Sequence, residues 1–323
     1  MKKRYWFAGG FALAGVALAA HRLSRPLTLD WQEHAARLHH PDRSRFAEVG
    51  GVRLHYQEAG DARDPAVVLI HGFLVSNFVW RDVLLPLAER GFRVVAPDLV
   101  GFGFSGKPAD GEYTIEAQAR ALVGLLDELK IGRAALVGSS YGAAVAAICA
   151  LDWPGRVERL VLVGAVCNDE LRRHLVLRLV ALRGLGELLA PPLLDARYVV
   201  RRRLSRRAAN NGDAQAEERR IAGRHLPLRA TDAQRAVINT VRGWSAGRVE
   251  REAAKIRQPT LLVWGEGDTE TPLRHGETLR RLIPDSRLLT IEACGHLPQE
   301  ERPPLFVEAV AAFCRGERVA GAV

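Results

Sequence analysis

From residue 46 onward the chain alternates short, mainly apolar runs with longer amphipathic ones. Residues 47–49 and 52–56, separated by Gly50-Gly51, alternate in polarity and predict a β-hairpin. Residues 67–70, 92–96, 134–137, 159–163, 260–264 and 287–291 are short enough, and apolar enough, for strands buried on both faces. Between them, residues 80–90 and 113–129, and the small-residue stretch after 142, suit helices; a last helix is predicted over 304–314. Strands alternating with helices predict a mostly parallel eight-stranded sheet, covered by helices on both faces and wound by right-handed crossovers. The rhythm breaks between 168 and 245. There Leu171, Leu175, Leu179 and Leu182 recur at three- and four-residue spacing within 171–189, and Pro191-Pro192 interrupts. This predicts a helical insertion between the sixth and seventh strands.

The first 45 residues stand outside that rhythm. Lys2, Lys3 and Arg4 precede sixteen uncharged residues, 5–20. Two readings compete for residues 1–25. One is a signal peptide, with Ala17-Leu18-Ala19 as a cleavage box. The other is an uncleaved N-terminal membrane anchor. Sixteen helical residues reach only about 24 Å against a hydrocarbon core of about 30 Å, and flanking Lys and Arg can snorkel to close the gap. Either reading makes the protein anchored or exported, to the cell envelope or periplasm, with a cytoplasmic body left open by Arg22 and Arg25 beyond the apolar run. Residues 26–45 read as a polar linker with one short helix around 31–38.

The charge is unevenly placed. The chain of 323 residues carries a net +9, but residues 171–230 alone hold fourteen arginines, no lysine and five acids. The first 25 residues add five more positive charges, so the remaining body is mildly acidic. A basic amphipathic insertion fits either solvated arginines over leucines packed on a site mouth, or an anionic membrane surface. Nucleic acid is not the expected partner, since no aromatic residues interleave with the basic run and no reading motif is present. Cys149, Cys167, Cys294 and Cys314 lie in or beside apolar segments without C-x-x-C spacing, which reads as buried small side chains and leaves disulfide pairing open. No metal-ligand spacing is present and no cofactor is expected.

The chemistry concentrates at strand ends. Residues 134–137 run into Gly138-Ser139-Ser140-Tyr141-Gly142, a G-x-S-x-G turn followed by small, helix-compatible residues. Strand, sharp turn and helix form the context in which a central serine projects its hydroxyl. A serine is a weak nucleophile and needs a base, a group to orient that base, and donors for the developing oxyanion. Gly265-Glu266-Gly267-Asp268 follows the seventh strand, Cys294-Gly295-His296 follows the eighth, and His71-Gly72-Phe73 follows the third. In a parallel sheet these positions share the carboxyl edge, where ligands bind.

Together with Asp98-Leu99-Val100-Gly101-Phe102-Gly103-Phe104-Ser105, these pieces resemble the α/β-hydrolase superfamily in its cap-bearing bacterial form, from about residue 46 to the C-terminus. The resemblance implies a core over 46–167 and 246–323 and a helical cap over 168–245. It implies Ser140 as nucleophile, His296 as base, Asp268 as orienting acid, and the backbone N–H groups of Phe73 and Tyr141 as the oxyanion hole. Asp169, just past the sixth strand, is the rival for the orienting role. Asp98 is expected to brace its glycine-rich loop, His71 to support the oxyanion loop, and His55 and His275 to be surface or packing residues. Serine at 140, where dehalogenase-like relatives carry aspartate, implies an acyl-enzyme. The expected activity is therefore carboxylic ester or lipid hydrolysis. Carbon–carbon hydrolysis or cofactor-free perhydrolysis on the same triad is the alternative, and a non-catalytic ligand-binding member of the fold is the alternative from another class.

Overall fold

The computed structural model describes residues 27–35, 39–170, 174–188, 228 and 230–323. The apolar stretch 5–20, Pro191-Pro192 and the arginine clusters 201–203 and 206–207 lie outside them. The eight strands are β1 (Ser44–Val49), β2 (Val52–Ala59), β3 (Ala66–Ile70), β4 (Arg93–Pro97), β5 (Ala134–Ser139), β6 (Val157–Val163), β7 (Thr260–Gly265) and β8 (Ser286–Ile291). They form one sheet in the order β1-β2-β4-β3-β5-β6-β7-β8. β2 runs antiparallel to β1 and β4, and every other pair is parallel.

The two-residue period of the strands divides the interior into two layers. Val68, Ile70, Leu136, Leu160, Leu162, Leu262 and Trp264 point to one face. The next residue in each strand, among them Val67, Leu69, Val137, Val161 and Val263, points to the other. The first layer is covered by residues of the helices Ile115–Glu128, Tyr141–Asp152 and Arg274–Leu282; Leu84–Ala88 and Pro303–Cys314 cover the second. We number the helices in chain order as α1 (Leu84–Ala88), α2 (Ile115–Glu128), α3 (Tyr141–Asp152), α4 (Leu175–Ala181), α5 (Thr231–Arg242), α6 (Gly247–Glu252), α7 (Arg274–Leu282) and α8 (Pro303–Cys314), leaving single turns unlabelled.

Three elements differ from the sequence expectation. The helix expected over 80–90 is a 3₁₀ turn, Asn77–Trp80, followed by the five-residue α1. Pro86 lacks an N–H and is tolerated only in a first helical turn, so the helix cannot start much before Leu84. The helix expected over 171–189 is broken among the described residues: α4 ends where Leu182 turns extended and Gly184 takes φ +79°, and a helical turn resumes over 185–188. The linker expected over 26–45 already contains the start of β1 at Ser44, and a single turn at Trp31–His34. Its backbone is tied down, with Leu27 O accepting Asp232 N–H at the start of α5.

The described parts of the insertion pack over the sheet edge. Val180 of α4 and Ile238 and Val241 of α5 form a small apolar cluster against Phe73. No helix among the described residues is long and apolar enough to cross a membrane. All four cysteines are unpaired, and three are buried.

Candidate active site

β5 delivers Ser140 into a backbone position that most residues avoid, φ +55° and ψ −114°. Such strain persists only where surrounding structure enforces it. The turn is packed so tightly that a Cβ on Gly138 would lie 2.3 Å from Gly142 O, and a Cβ on Gly142 2.3 Å from Ile70 O. Glycine is therefore the only residue that fits either position. Ser140 N–H donates to Val163 O at 2.8 Å, and Ser140 O accepts Val166 N–H at 3.2 Å, so the end of β6 clamps the turn. The Ser140 residue itself is half-buried. It sits at the N-terminus of the twelve-residue α3, whose dipole favours negative charge there.

β3 ends beside it. A Cβ on Gly72 would lie 3.3 Å from both Ser139 O and Ser140 Cβ, which sets how closely the His71-Gly72-Phe73 backbone passes the serine. His71 is fully buried. Its Nδ1 donates to Gly72 O at 2.8 Å and its Nε2 accepts Leu99 N–H at 3.0 Å, an arrangement that requires the neutral ring. Burial lowers its pKa, and nearby Asp98 only partly offsets this. His71 thus holds the loop in shape, as its sequence context suggested. Phe73 packs edge-on to Trp244 at 5.2 Å, and Trp244 also lies 5.0 Å from the Tyr141 ring. The walls around the turn are aromatic and apolar.

The acid and the imidazole meet. Asp268 Oδ2 accepts from His296 Nδ1 at 2.8 Å, and both side chains are buried. Asp268 Oδ1 accepts the N–H groups of Glu270 and Thr271 at 2.9 and 3.0 Å. Burial alone would raise the Asp268 carboxyl. The bonds from His296 and Thr271, with the imidazole charge, outweigh it and hold the pKa below the ordinary aspartate value. Asp169 goes elsewhere, with its Oδ1 accepting Ala246 N–H at 2.8 Å just before α6. Of the two acids, Asp268 touches His296.

Several residues that the sequence did not single out complete the arrangement. Thr271 Oγ1 lies 2.9 Å from both Asp268 Oδ2 and Gly164 O, which ties the acid to the end of β6. Glu301 accepts Gly295 N–H at 2.6 Å and Leu297 N–H at 3.2 Å, gripping the backbone on both sides of His296. Gln299, fully buried, donates to Ser139 Oγ at 3.1 Å. Glu270 Oε2 lies 3.8 Å from His296 Nε2. Glu301 and the Thr271–Asp268 contact act within a few residues, whereas Thr271–Gly164, Gln299–Ser139 and Glu270–His296 join residues far apart in the chain and leave no local pattern.

Asp98 and His55 form a second buried pair, at 2.7 Å, away from the serine. Asp98 also accepts Asn77 N–H at 2.8 Å and Phe104 N–H at 2.9 Å, so it braces the glycine-rich loop. Its burial raises the carboxyl pKa, but the bonds from His55 and the backbone pull it below the ordinary value. His55 is enclosed by Trp31, Phe46 and Phe104 and is a packing residue. Among the described residues no group of acids, histidines and cysteines could hold a metal ion.

A family model described as the alpha/beta hydrolase fold matches residues 65–303. Pseudomonas putida 2-hydroxy-6-oxo-2,4-heptadienoate hydrolase is 32% identical over 277 residues, which cover 84% of this chain and 96% of that protein. Among solved structures, a meta-cleavage product hydrolase from Pseudomonas fluorescens aligns with a TM-score of 0.70 and 26% identity over 84% of this chain and 97% of its own. A bacterial membrane phospholipase A aligns with a TM-score of 0.73 and 27% identity over 98% of this chain and 99% of its own. With the sheet order, the serine turn and the acid–imidazole pair already agreeing, these matches show that the chain belongs to the α/β-hydrolase family.

Proposed function

We propose that this hydrolase cleaves carboxylic esters with an apolar acyl portion through a serine-bound acyl-enzyme. The observation that carries the reading is that a strained, half-buried Ser140 and the hydrogen-bonded Asp268–His296 pair are both fastened to the end of β6. In this reading His296 Nε2 takes the proton from Ser140 Oγ as the oxygen attacks the ester carbonyl. The carbonyl electron pair moves to oxygen, where the N–H groups of Tyr141 and Phe73 stabilise it; each such donor is worth about 3 kcal/mol. When the tetrahedral adduct collapses, the C–O bond to the alcohol breaks and His296 returns the proton to that oxygen. Water repeats the sequence on the acyl-enzyme and frees the acid. Asp268 fixes the imidazole tautomer and stabilises its cation.

The aromatic wall of Phe73, Tyr141 and Trp244 supports an apolar acyl group. A lipid ester at an anionic membrane surface is the substrate setting we favour. Leu175, Val176, Leu182 and Leu188 are exposed on the insertion beside Arg178 and Arg183. The membrane phospholipase A aligns over 98% of this chain, into the N-terminal stretch, whereas the meta-cleavage product hydrolase aligns over 84%. Residues 1–25 would then be an anchor or export segment, 26–45 the linker, 168–245 the cap, and 46–167 with 246–323 the catalytic core.

A second reading is favoured by the 32% identity to the P. putida hydrolase: carbon–carbon bond hydrolysis of a dienoate on the same residues. The test is fluorophosphonate labelling of the full chain and of Ser140→Ala, followed by turnover of p-nitrophenyl esters of graded chain length and of a 2-hydroxy-6-oxo-dienoate. The reading expects labelling lost in Ser140→Ala and ester turnover that exceeds dienoate cleavage. Faster dienoate cleavage supports the second reading. A folded chain that neither labels nor turns over is a binding protein.

A further inference from the structure

His296 has a carboxylate near each ring nitrogen. Asp268 occupies Nδ1; Glu270 Oε2 stands 3.8 Å from Nε2. The backbone that carries Glu270 is fixed, because its N–H is bound by Asp268 Oδ1 at 2.9 Å and the adjacent Thr271 N–H is held by the same oxygen. Its side chain is 38% exposed, so it lies at the water-facing border of the site, unlike buried Asp268. Resting on the ester reading above, we infer that Glu270 is a specificity-determining residue that selects the charge of the alcohol portion of the ester, disfavouring anions and favouring cations.

The reason is distance. Nε2 must reach the leaving oxygen to protonate it, at a hydrogen-bond separation of about 3 Å. The leaving oxygen is therefore held within roughly 7 Å of Glu270 Oε2. A unit charge three bonds beyond that oxygen, as in a choline ester, feels the carboxylate through partly hydrated surroundings, with an effective dielectric constant between those of water and a protein surface. At that separation the interaction alters relative rates about five- to tenfold per unit charge. With one acyl group common to every ester compared, the effect appears only through the charge of the alcohol. The dienoate in the name of the P. putida relative is an anion, and a carboxylate so close to the base works against a leaving fragment of that charge.

The experiment uses three hexanoate esters of alcohols matched in size: choline, its neutral carbon isostere 3,3-dimethylbutanol, and a sulfonate-bearing alcohol. Values of kcat/KM are measured by pH-stat for the full chain, Glu270→Gln and Glu270→Asp. Each charged ester is expressed as a ratio to the neutral one, so that any common change in rate or folding cancels. The wild type is expected to rank cation above neutral above anion. Glu270→Gln is expected to raise the anion-to-neutral ratio about five- to tenfold and lower the cation-to-neutral ratio similarly. Glu270→Asp, which keeps the charge, retains most of the wild-type preference, and added salt weakens it. Ratios unchanged in Glu270→Gln, with the neutral ester still hydrolysed, overturn the inference and leave the ester reading standing. A wild type that turns over none of the three esters overturns both.

Discussion

Replacing Gly164 with alanine tests whether the geometry at the end of β6 is what keeps the acid and the imidazole together. Gly164 has φ +49°. Its added Cβ would lie 3.1 Å from Asp268 Oδ2, 3.1 Å from His296 Nδ1 and 3.2 Å from His296 Cε1. The methyl would thus press on both ends of the 2.8 Å bond between these side chains. Two costs follow. The left-handed backbone costs an alanine about 1–2 kcal/mol. Relief of the contacts requires the pair to give by a few tenths of an ångström, which we expect to cost about a further 1 kcal/mol. Gly91 separates the two terms, since it has φ +80° with nothing within 4 Å of its Cβ position. Gly91→Ala should therefore lose only the backbone term and keep full activity. Gly164→Ala should lose more stability by urea denaturation. Its kcat on a p-nitrophenyl ester should fall about 4- to 10-fold, since a displacement of about 1 Å costs about 10² and the pair moves by only a fraction of that. A low-field proton resonance from His296 Nδ1–H should broaden or shift in Gly164→Ala alone. If Gly164→Ala matched Gly91→Ala in stability and kept kcat within about twofold of wild type, the pair would not depend on this clearance and the reasoning would fail.

Two further outcomes are expected. Asp268→Asn should lower kcat by about 10⁴-fold by admitting the wrong imidazole tautomer, whereas Asp169→Asn should lower only the melting temperature, because Asp169 holds Ala246 N–H and not His296; steady-state kinetics beside thermal melts separates the two. Asp98→Ala should cost about 3 kcal/mol or more in urea titration, since it strips His55, a buried N–H and a part-buried N–H of their acceptor. Because the folded pKa of Asp98 lies below the ordinary aspartate value, its contribution is fully present above about pH 4 and is lost as pH falls through the folded value. Wild-type stability should accordingly decline below about pH 4, and more shallowly in Asp98→Ala.

The strands were legible because a parallel sheet buries both faces, so each strand is an apolar run that no surface helix imitates. Helix limits were less legible, because they turn on single residues whose effect depends on position: Pro86 delays α1 and Gly184 follows the end of α4. Ser140, Asp268 and His296 could be singled out as candidates because each sits in a short motif at a strand end. The choice between Asp268 and Asp169 could not be made there, since both acids follow a strand at the same sheet edge. Only the path of the loop after β7, turned back by two N–H bonds to Asp268 Oδ1, aims that carboxylate at the imidazole. Glu301 and Gln299 lie in a single helical turn, Pro298–Glu301, with no signature of its own, and their role exists only through contact with residues 295, 297 and 139.

The end of β6 carries none of the groups assigned to the reaction, yet it joins them. Val163 O takes Ser140 N–H, and Val166 N–H returns to Ser140 O. Gly164 N–H donates to Val263 O of β7, while Gly164 O lies within hydrogen-bond distance of Thr271 Oγ1, which also reaches Asp268. One short segment therefore fixes the serine turn from one side and the acid from the other, with a glycine proton facing the acid–imidazole bond. A shift there would move Ser140 and His296 relative to each other, whereas a shift of any single loop would move only one of them. Backbone groups and a missing Cβ do this work, so the segment offers the sequence no chemistry to read, although the reaction's geometry depends on it.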